Sequence, residues 1–272
     1  MIRLAVRVRR EQAELVLAEL LELAPGGVEE VELGDELVEY AVYGAPGELP
    51  ALPDLEASAG GALVEVVSRE VADDWSERWR EFHRPVLIGD RLTVRPPWEP
   101  AAATAIDLVI DPGQAFGTGA HATTKLCLEL LLELEPGADR GLVDLGCGSG
   151  VLAIAAARLG YAPVVALDND PASVEATVAN ARVNEVEIEV RRFDLRTEDV
   201  PRAGTIAANL LGPLLRALAP RLGAAGALPG RLIASGLLAH EADGIADAFG
   251  VVGLRETTRR ESGEWAALLL ER

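Results

Sequence analysis

Two acids and a glycine turn stand at distances that suit nucleoside chemistry. Asp144-Leu145-Gly146-Cys147-Gly148-Ser149-Gly150 follows the apolar pair Leu142-Val143 and precedes Val151-Leu152-Ala153-Ile154, which reads as a helix. Glycine lets the backbone turn sharply and puts no side chain between it and a ligand. The following helix would aim unpaired N–H groups and its positive dipole end at the same place. Pro163 to Asp168 reads as the next strand. An acid at such a strand end, about 20 residues beyond the first glycine, can take both hydroxyls of a ribose. The turn is not a dinucleotide fingerprint, because the third glycine of G-x-G-x-x-G would fall at Val151. That argues against a NAD-dependent oxidoreductase. Asp144 before the turn suits a cationic ligand such as a sulfonium better than a phosphate.

These residues need a sheet to hold them. The apolar run Leu142-Val143 ending in Asp144, then Pro163–Asp168, Val186–Val190, Thr205–Ala208 and Arg231–Ser235 read as successive strands of one main sheet, with helices over Pro171–Asn184, Leu214–Leu222 and Glu241–Phe249. Val251–Arg255 and Trp265–Leu270 read as a closing pair. Alternation of this kind makes an open α/β sheet whose ligands lie at strand C-termini. Asn209 ends the fourth of these strands. Upstream, Val86–Val94 and Ala105–Ile110 read as a pair of strands. Asp111-Pro112-Gly113-Gln114-Ala115-Phe116-Gly117-Thr118-Gly119-Ala120-His121-Ala122-Thr123-Thr124 reads as a glycine-rich connection into a helix running from about His121 to Leu134. Read as an ordinary strand-to-helix connection, it would have Thr123 or Thr124 as N-cap. His121 is a candidate general base, but a hydrogen bond that orders the connection is the better reading.

The first 70 residues follow another plan. Ile2–Val8, Val28–Leu33, Leu37–Tyr43 and Ala62–Ser68 read as strands, with helices over Glu11–Leu23 and Pro50–Ala57. The order βαββαβ implies a small ferredoxin-like α+β domain over 1–70. A linker helix follows within 71–90, with Trp75, Trp79 and Phe82 on one face, and then the main domain over 91–272.

The 272 residues carry a net charge of −19 and are 49% hydrophobic. An acidic surface repels naked nucleic acid and steers basic partners. Only Cys127 and Cys147 are thiols, which suits a reducing compartment and no disulfide scaffold. No apolar run is long enough for a membrane span, no metal spacing is present, and the first residues do not read as a signal peptide. The expectation is a cytoplasmic protein.

Asp144–Gly150 with Asp168 resembles the class I methyltransferases that use S-adenosylmethionine. Three further stretches sharpen the resemblance: Asp111–Thr124, Ala208-Asn209-Leu210-Leu211-Gly212-Pro213-Leu214 and Ser235-Gly236-Leu237-Leu238. Together they resemble the bacterial enzymes that methylate ribosomal protein L-eleven, through most of 71–272; over 1–70 the likeness rests on element order and size. The resemblance implies a Rossmann-like seven-stranded sheet and S-adenosylmethionine as cofactor, held by Thr124, Gly146, Gly148, Asp168 and Asn209. It implies that Asp111–Thr124 forms a cofactor lid. It also implies methylation of lysine side chains, with the α-amine as a further candidate, of a basic ribosomal protein recognised by the N-terminal domain. A free lysine is about one part in a thousand neutral at pH 7, so the site must favour the uncharged amine. Asn209 is the candidate to position it, since an amide oxygen accepts from an amine. The chain has Asn209-Leu210-Leu211-Gly212 where many amino-methylating relatives carry Asn-Pro-Pro-Tyr. The missing aromatic disfavours base or glutamine methylation. A same-fold enzyme acting on RNA or a small molecule is the alternative.

Overall fold

The computed structural model describes residues 2–10, 13, 16–17, 28–34, 36–44, 63–70, 83–112, 117, 119–224, 226 and 228–272. The chain divides into two compact units, 1–82 and 83–272.

In the first unit, β1 (Ile2–Arg9), β2 (Glu29–Glu32), β3 (Leu37–Gly44) and β4 (Leu63–Glu70) form a sheet in the order β2-β3-β1-β4, every neighbour antiparallel. This is the strand order of a ferredoxin-like sandwich. Alternation sets its faces: Leu4, Val6 and Val8 of β1 pack with Val38, Tyr40 and Val42 of β3 and with Ala13 and Val16, which are helical. On the other face Arg7 bridges Glu39 at 2.7 Å and Glu65 at 2.6 Å. The expected helix over 50–57 and the aromatic residues Trp75, Trp79 and Phe82 lie outside the described residues.

The second unit opens with three strands, not a pair: β5 (Val86–Ile88), β6 (Leu92–Arg95) and β7 (Ile106–Val109). β5 and β6 form a hairpin across a turn at Gly89, and β7 joins β6 in parallel. Residues 83–85, inside the expected linker helix, are not helical. Arg95 grips Asp107 with a bidentate pair at 2.9–3.0 Å, which locks β6 to β7.

Helix α1 (Ala122–Glu133) leads into a seven-stranded sheet in the order β10-β9-β8-β11-β12-β14-β13. Its strands are β8 (Leu142–Leu145), β9 (Val164–Asp168), β10 (Glu189–Arg192), β11 (Thr205–Asn209), β12 (Arg231–Leu238), β13 (Arg255–Ser262) and β14 (Trp265–Glu271). All neighbours are parallel except those involving β14, which is antiparallel to β12 and β13. The α/β seven-stranded sheet is as the sequence implies. Helices α2 (Val151–Arg158), α3 (Pro171–Val183), α4 (Gly212–Ala224) and α5 (Ala242–Val251) connect the strands. Several expected boundaries move: β12 runs on to Leu238 and α4 spans Gly212–Ala224. β10 begins at Glu189 rather than Val186, because Glu185 turns at φ 53° and the Val186 N–H returns to the Ala181 carbonyl, spending these residues on the exit from α3. β13 begins at Arg255, because α5 runs through Val251 and the chain turns out of it at Gly253, φ 100°. Among the described residues no helix is long and apolar enough to cross a membrane.

Candidate functional site

The sheet order reverses direction between β8 and β11: from β8 the chain moves outward to β9 and β10, then returns to the other side of β8 as β11. Crevices at the carboxyl ends of strands open at such a reversal. Asp144 lies in β8, Asp168 ends β9 and Asn209 ends β11, so these sequence candidates meet at that edge.

The glycine turn joins β8 to α2. Gly146, Gly148 and Gly150 have φ of 74°, 54° and 82°, backbone that side chains rarely adopt. Neighbours use the space as well. A Cβ on Gly146 would lie 2.6 Å from Leu210 Cδ2, and one on Gly150 would lie 2.7 Å from Thr177 Cγ2. At these two positions the missing side chain therefore makes room for the protein's own packing.

The turn's polar groups are largely committed. The Gly146 and Cys147 N–H groups donate to the Leu167 carbonyl at 2.8 and 3.1 Å. The Gly148 N–H donates to Asp168 Oδ2 at 2.9 Å, while Asp168 Oδ1 accepts from the Asp170 N–H at 3.0 Å. Asp168 therefore fixes the turn and its own strand end, and each carboxylate oxygen keeps a lone pair for a hydroxyl. In the first turn of α2 the Val151 N–H points to Ser149 Oγ at 3.4 Å and the Ala153 N–H donates to Asp144 Oδ2 at 3.1 Å. These donors do not face a ligand as the sequence reading expects. The dipole end is partly satisfied from within, which suits a ligand without phosphate.

Asp144 is likewise placed differently from the expectation of an acid facing a cation. It is fully buried, its Oδ1 has no hydrogen-bond partner among the described residues, and burial pushes its carboxyl up to about 7 despite the Ala153 bond. The neighbouring Asp168 charge adds to that rise. Cys147 is buried beside Thr177, Sγ to Oγ1 3.3 Å, and desolvation holds it as a thiol. Cys127 is buried too, its thiol pushed up to about 12 by desolvation.

Asn209 meets Thr124 across the reversal. Its Nδ2 lies 3.4 Å from Thr124 Oγ1, and its Oδ1 is buried without a partner among the described residues. A buried acceptor left unmade costs about 1–3 kcal/mol, so its retention points to a use. Thr124 is itself buried in the first turn of α1. The cap of that helix is not a threonine: His121 Nδ1 accepts from the Thr123 N–H at 3.3 Å and lies 2.8 Å from Thr123 Oγ1. The His121 ring packs edge-on against Trp265 at 5.0 Å, and burial lowers its pKa. Neutral imidazole with its Nδ1 lone pair aimed at a backbone N–H is a cap, which agrees with the ordering role. Residues 113–116 and 118, with Phe116, lie outside the described residues.

Sequence reasoning missed the support beneath the turn. Thr177 Oγ1 donates to the Gly148 carbonyl at 2.9 Å, Asn180 Nδ2 to the Ser149 carbonyl at 2.9 Å, and Ser149 Oγ to the Gly117 carbonyl at 2.7 Å. The available signal was polar residues at helical spacing in a segment with few apolar ones. Among the described residues no group of His, Cys, Asp or Glu is arranged to hold a metal.

Comparison with known proteins follows the same lines. Residues 52–272 match the family model described as ribosomal protein L11 methyltransferase (PrmA). A ribosomal protein L11 methyltransferase of Pelotomaculum thermopropionicum is 42% identical over 79% of this chain and 70% of its own length. One from Heliobacterium modesticaldum is 40% identical over 74% of this chain and 64% of its own. Among solved structures, the ribosomal protein L11 methylase of Lactobacillus delbrueckii is similar at a TM-score of 0.63 and 28% identity. That match covers 70% of this chain and 99% of the other.

Proposed function

The chain belongs to the ribosomal protein L11 methyltransferase family, and from that membership we propose that it methylates lysine side chains, and the α-amine, of ribosomal protein L11 in the cytoplasm. S-adenosylmethionine would supply a methyl group already activated by the sulfonium, leaving the protein chiefly to position donor and acceptor. In this reading Asp168 takes the ribose hydroxyls, the Gly146–Gly148 backbone lies along the nucleoside, and Thr124 and Asn209 stand at the reacting end. Residues 1–70 recognise the basic substrate, and the acidic surface favours the encounter.

The observation that carries the reading is the unpartnered Asn209 Oδ1. It is an acceptor at the strand end beside the glycine turn, where an amine must shed its proton. An acceptor there orients the neutral nitrogen's N–H groups and leaves its lone pair to face the methyl. The residues fit such a cofactor in other respects. An acid stands at the β9 end, and two of the first-turn amides that a pyrophosphate would seek are occupied.

The test is incubation of the enzyme with purified ribosomal protein L11 and isotopically labelled S-adenosylmethionine, followed by mass spectrometry of peptides. Methyl groups on lysine nitrogens are expected. Label confined to RNA or to a metabolite would defeat the substrate assignment. Deleting residues 1–70 is expected to leave cofactor binding intact and abolish transfer to L11; retained transfer would put recognition elsewhere.

A further inference from the structure

Helix α3 buries polar side chains where a covering helix would bury apolar ones. Ser173, Thr177, Asn180 and Asn184 recur every three or four residues, so they share one face, and all are buried. Burying an amide costs more than it returns unless its donors and acceptor are bonded. Here they are. Asn184 brackets one residue of β7, accepting from the Val109 N–H at 2.9 Å and donating to its carbonyl at 2.6 Å. Thr177 holds the Gly148 carbonyl. Asn180, between them, reaches both sides: its Nδ2 donates to the Ser149 carbonyl at 2.9 Å and its Oδ1 accepts from the Asp111 N–H at 3.0 Å.

We propose that Asn180 is a positioning residue for the cofactor: it ties the Ser149 peptide to the Asp111 amide, and so sets the glycine turn against the segment that leads from β7 to Thr124. The inference rests on the cofactor site proposed above. The Ser149 hydroxyl makes a second tie to that segment at Gly117, and the turn it steadies carries the Gly148 N–H that meets Asp168. The groups assigned to one ligand thus come from separate stretches of chain, and Asn180 fixes two of those stretches to each other. Loss of the tie should weaken ground-state binding of the nucleoside while sparing turnover at saturating cofactor, because Asn180 touches no reacting atom.

The experiment compares Asn180→Leu, which can neither donate nor accept, with Asn180→Asp, which, read at alkaline pH where the new carboxyl is ionised, keeps the acceptor for Asp111 and loses the donor to Ser149. Phe249→Leu, on the buried face of α5, serves as a destabilised control. Calorimetry with S-adenosylhomocysteine, steady-state kinetics and native-state hydrogen exchange are read on each full-length protein. Both Asn180 variants are expected to raise Kd and the cofactor KM by on the order of tenfold, with kcat little changed. The Asp111 amide should exchange faster in Asn180→Leu and at the wild-type rate in Asn180→Asp. Phe249→Leu should lower Tm with Kd unchanged. Wild-type affinity in the Asn180 variants, or an equal loss in Phe249→Leu, would overturn the inference while leaving the methyl-transfer reading standing. A wild-type protein that binds no S-adenosylhomocysteine would instead overturn that reading, and this inference with it. Should Asn180→Leu not fold, Asn180→Asp alone decides.

Discussion

Helices α3 and α4 cover the same sheet with opposite materials. α4 buries Leu215, Leu218, Ala219 and Leu222, and α5 beside it buries Ala242, Ile245 and Phe249. α3 buries Ser173, Thr177, Asn180 and Ala181. Apolar contacts are non-directional: they remove surface from water and tolerate small shifts. Hydrogen bonds are directional and fail over a few tenths of an ångström. The β12–β14 half of the sheet therefore has only to be covered, whereas the β8–β9 half has to hold a backbone turn in one place. The difference separates stability from function, and it can be broken by substitutions on each side.

The largest effect belongs to the apolar side. Phe249 is fully buried among Leu218, Leu222 and Leu254 of one core cluster. Phe249→Ala should cost about 3–5 kcal/mol of stability by leaving a cavity, read as a lowered urea midpoint, with cofactor Kd unchanged wherever the protein remains folded. A matching loss of cofactor affinity would mean that the two halves are not separable.

The polar side should instead make stability depend on pH. Asp144 has its carboxyl pushed up to about 7 in the folded chain, against about 3.9 unfolded. As pH rises above that lower value the unfolded chain releases this proton and the folded one keeps it. Asp144 therefore lowers stability progressively up to about pH 7 and adds no further slope above. Asp144→Asn removes the titration and keeps an acceptor for the Ala153 N–H. Its stability relative to wild type should rise by at least about 2 kcal/mol between pH 5 and pH 8, measured by urea unfolding. A constant difference across that range would show that Asp144 is ionised in the folded protein.

Next comes Asp168, which serves the turn and the proposed ribose together. Asp168→Ala should weaken cofactor binding by about 1–3 kcal/mol. Because the Gly148 N–H loses its acceptor too, Asp168→Asn, which keeps an oxygen for that donor, should recover part of the loss. Unchanged affinity in the alanine variant would remove the ribose from the β9 end.

The division also explains what could be read from the chain. The β8, β9 and β11 strands and the residues ending them were legible because buried parallel strands are short apolar runs punctuated by function: Leu142–Leu145 into the glycines, Val164–Leu167 into Asp168, Thr205–Ala208 into Asn209. The role of α3 was not. Periodicity arguments look for apolar residues every three or four positions, and Thr177, Asn180 and Asn184 carry that spacing in polar side chains. The start of β10 was misplaced for a related reason. Val186, Ile188 and Val190 alternate as a strand would, but alternation does not register that Glu185 turns with positive φ and returns the chain to α3. The N-cap was misassigned because threonine is a better intrinsic cap than histidine; packing against Trp265 is what holds the His121 ring in place. The buried position of Asp144 was equally invisible, since an acid before a glycine turn reads the same whether it faces a ligand or the helix beneath.

The smallest effect tests whether His121 belongs to the capping or to the chemistry of this half. As a cap it satisfies one backbone donor, so His121→Ala should cost about 1 kcal/mol. The sign with pH follows from the lowered pKa. The neutral ring caps, and a protonated Nδ1 can neither accept from the Thr123 N–H nor sit comfortably at a positive helix end. The wild-type advantage over alanine should thus be full above about pH 6.5 and decline as pH falls through the depressed folded value. His121→Ser supplies the distinction that alanine cannot. Serine caps well and is no base at neutral pH, so it should restore both stability and methyl transfer if His121 only orders the start of α1. If His121 removes a proton from the substrate amine, serine would restore stability alone and turnover would stay as low as in the alanine variant. The two outcomes separate cleanly because one substitution replaces the hydrogen bond and leaves out the titration.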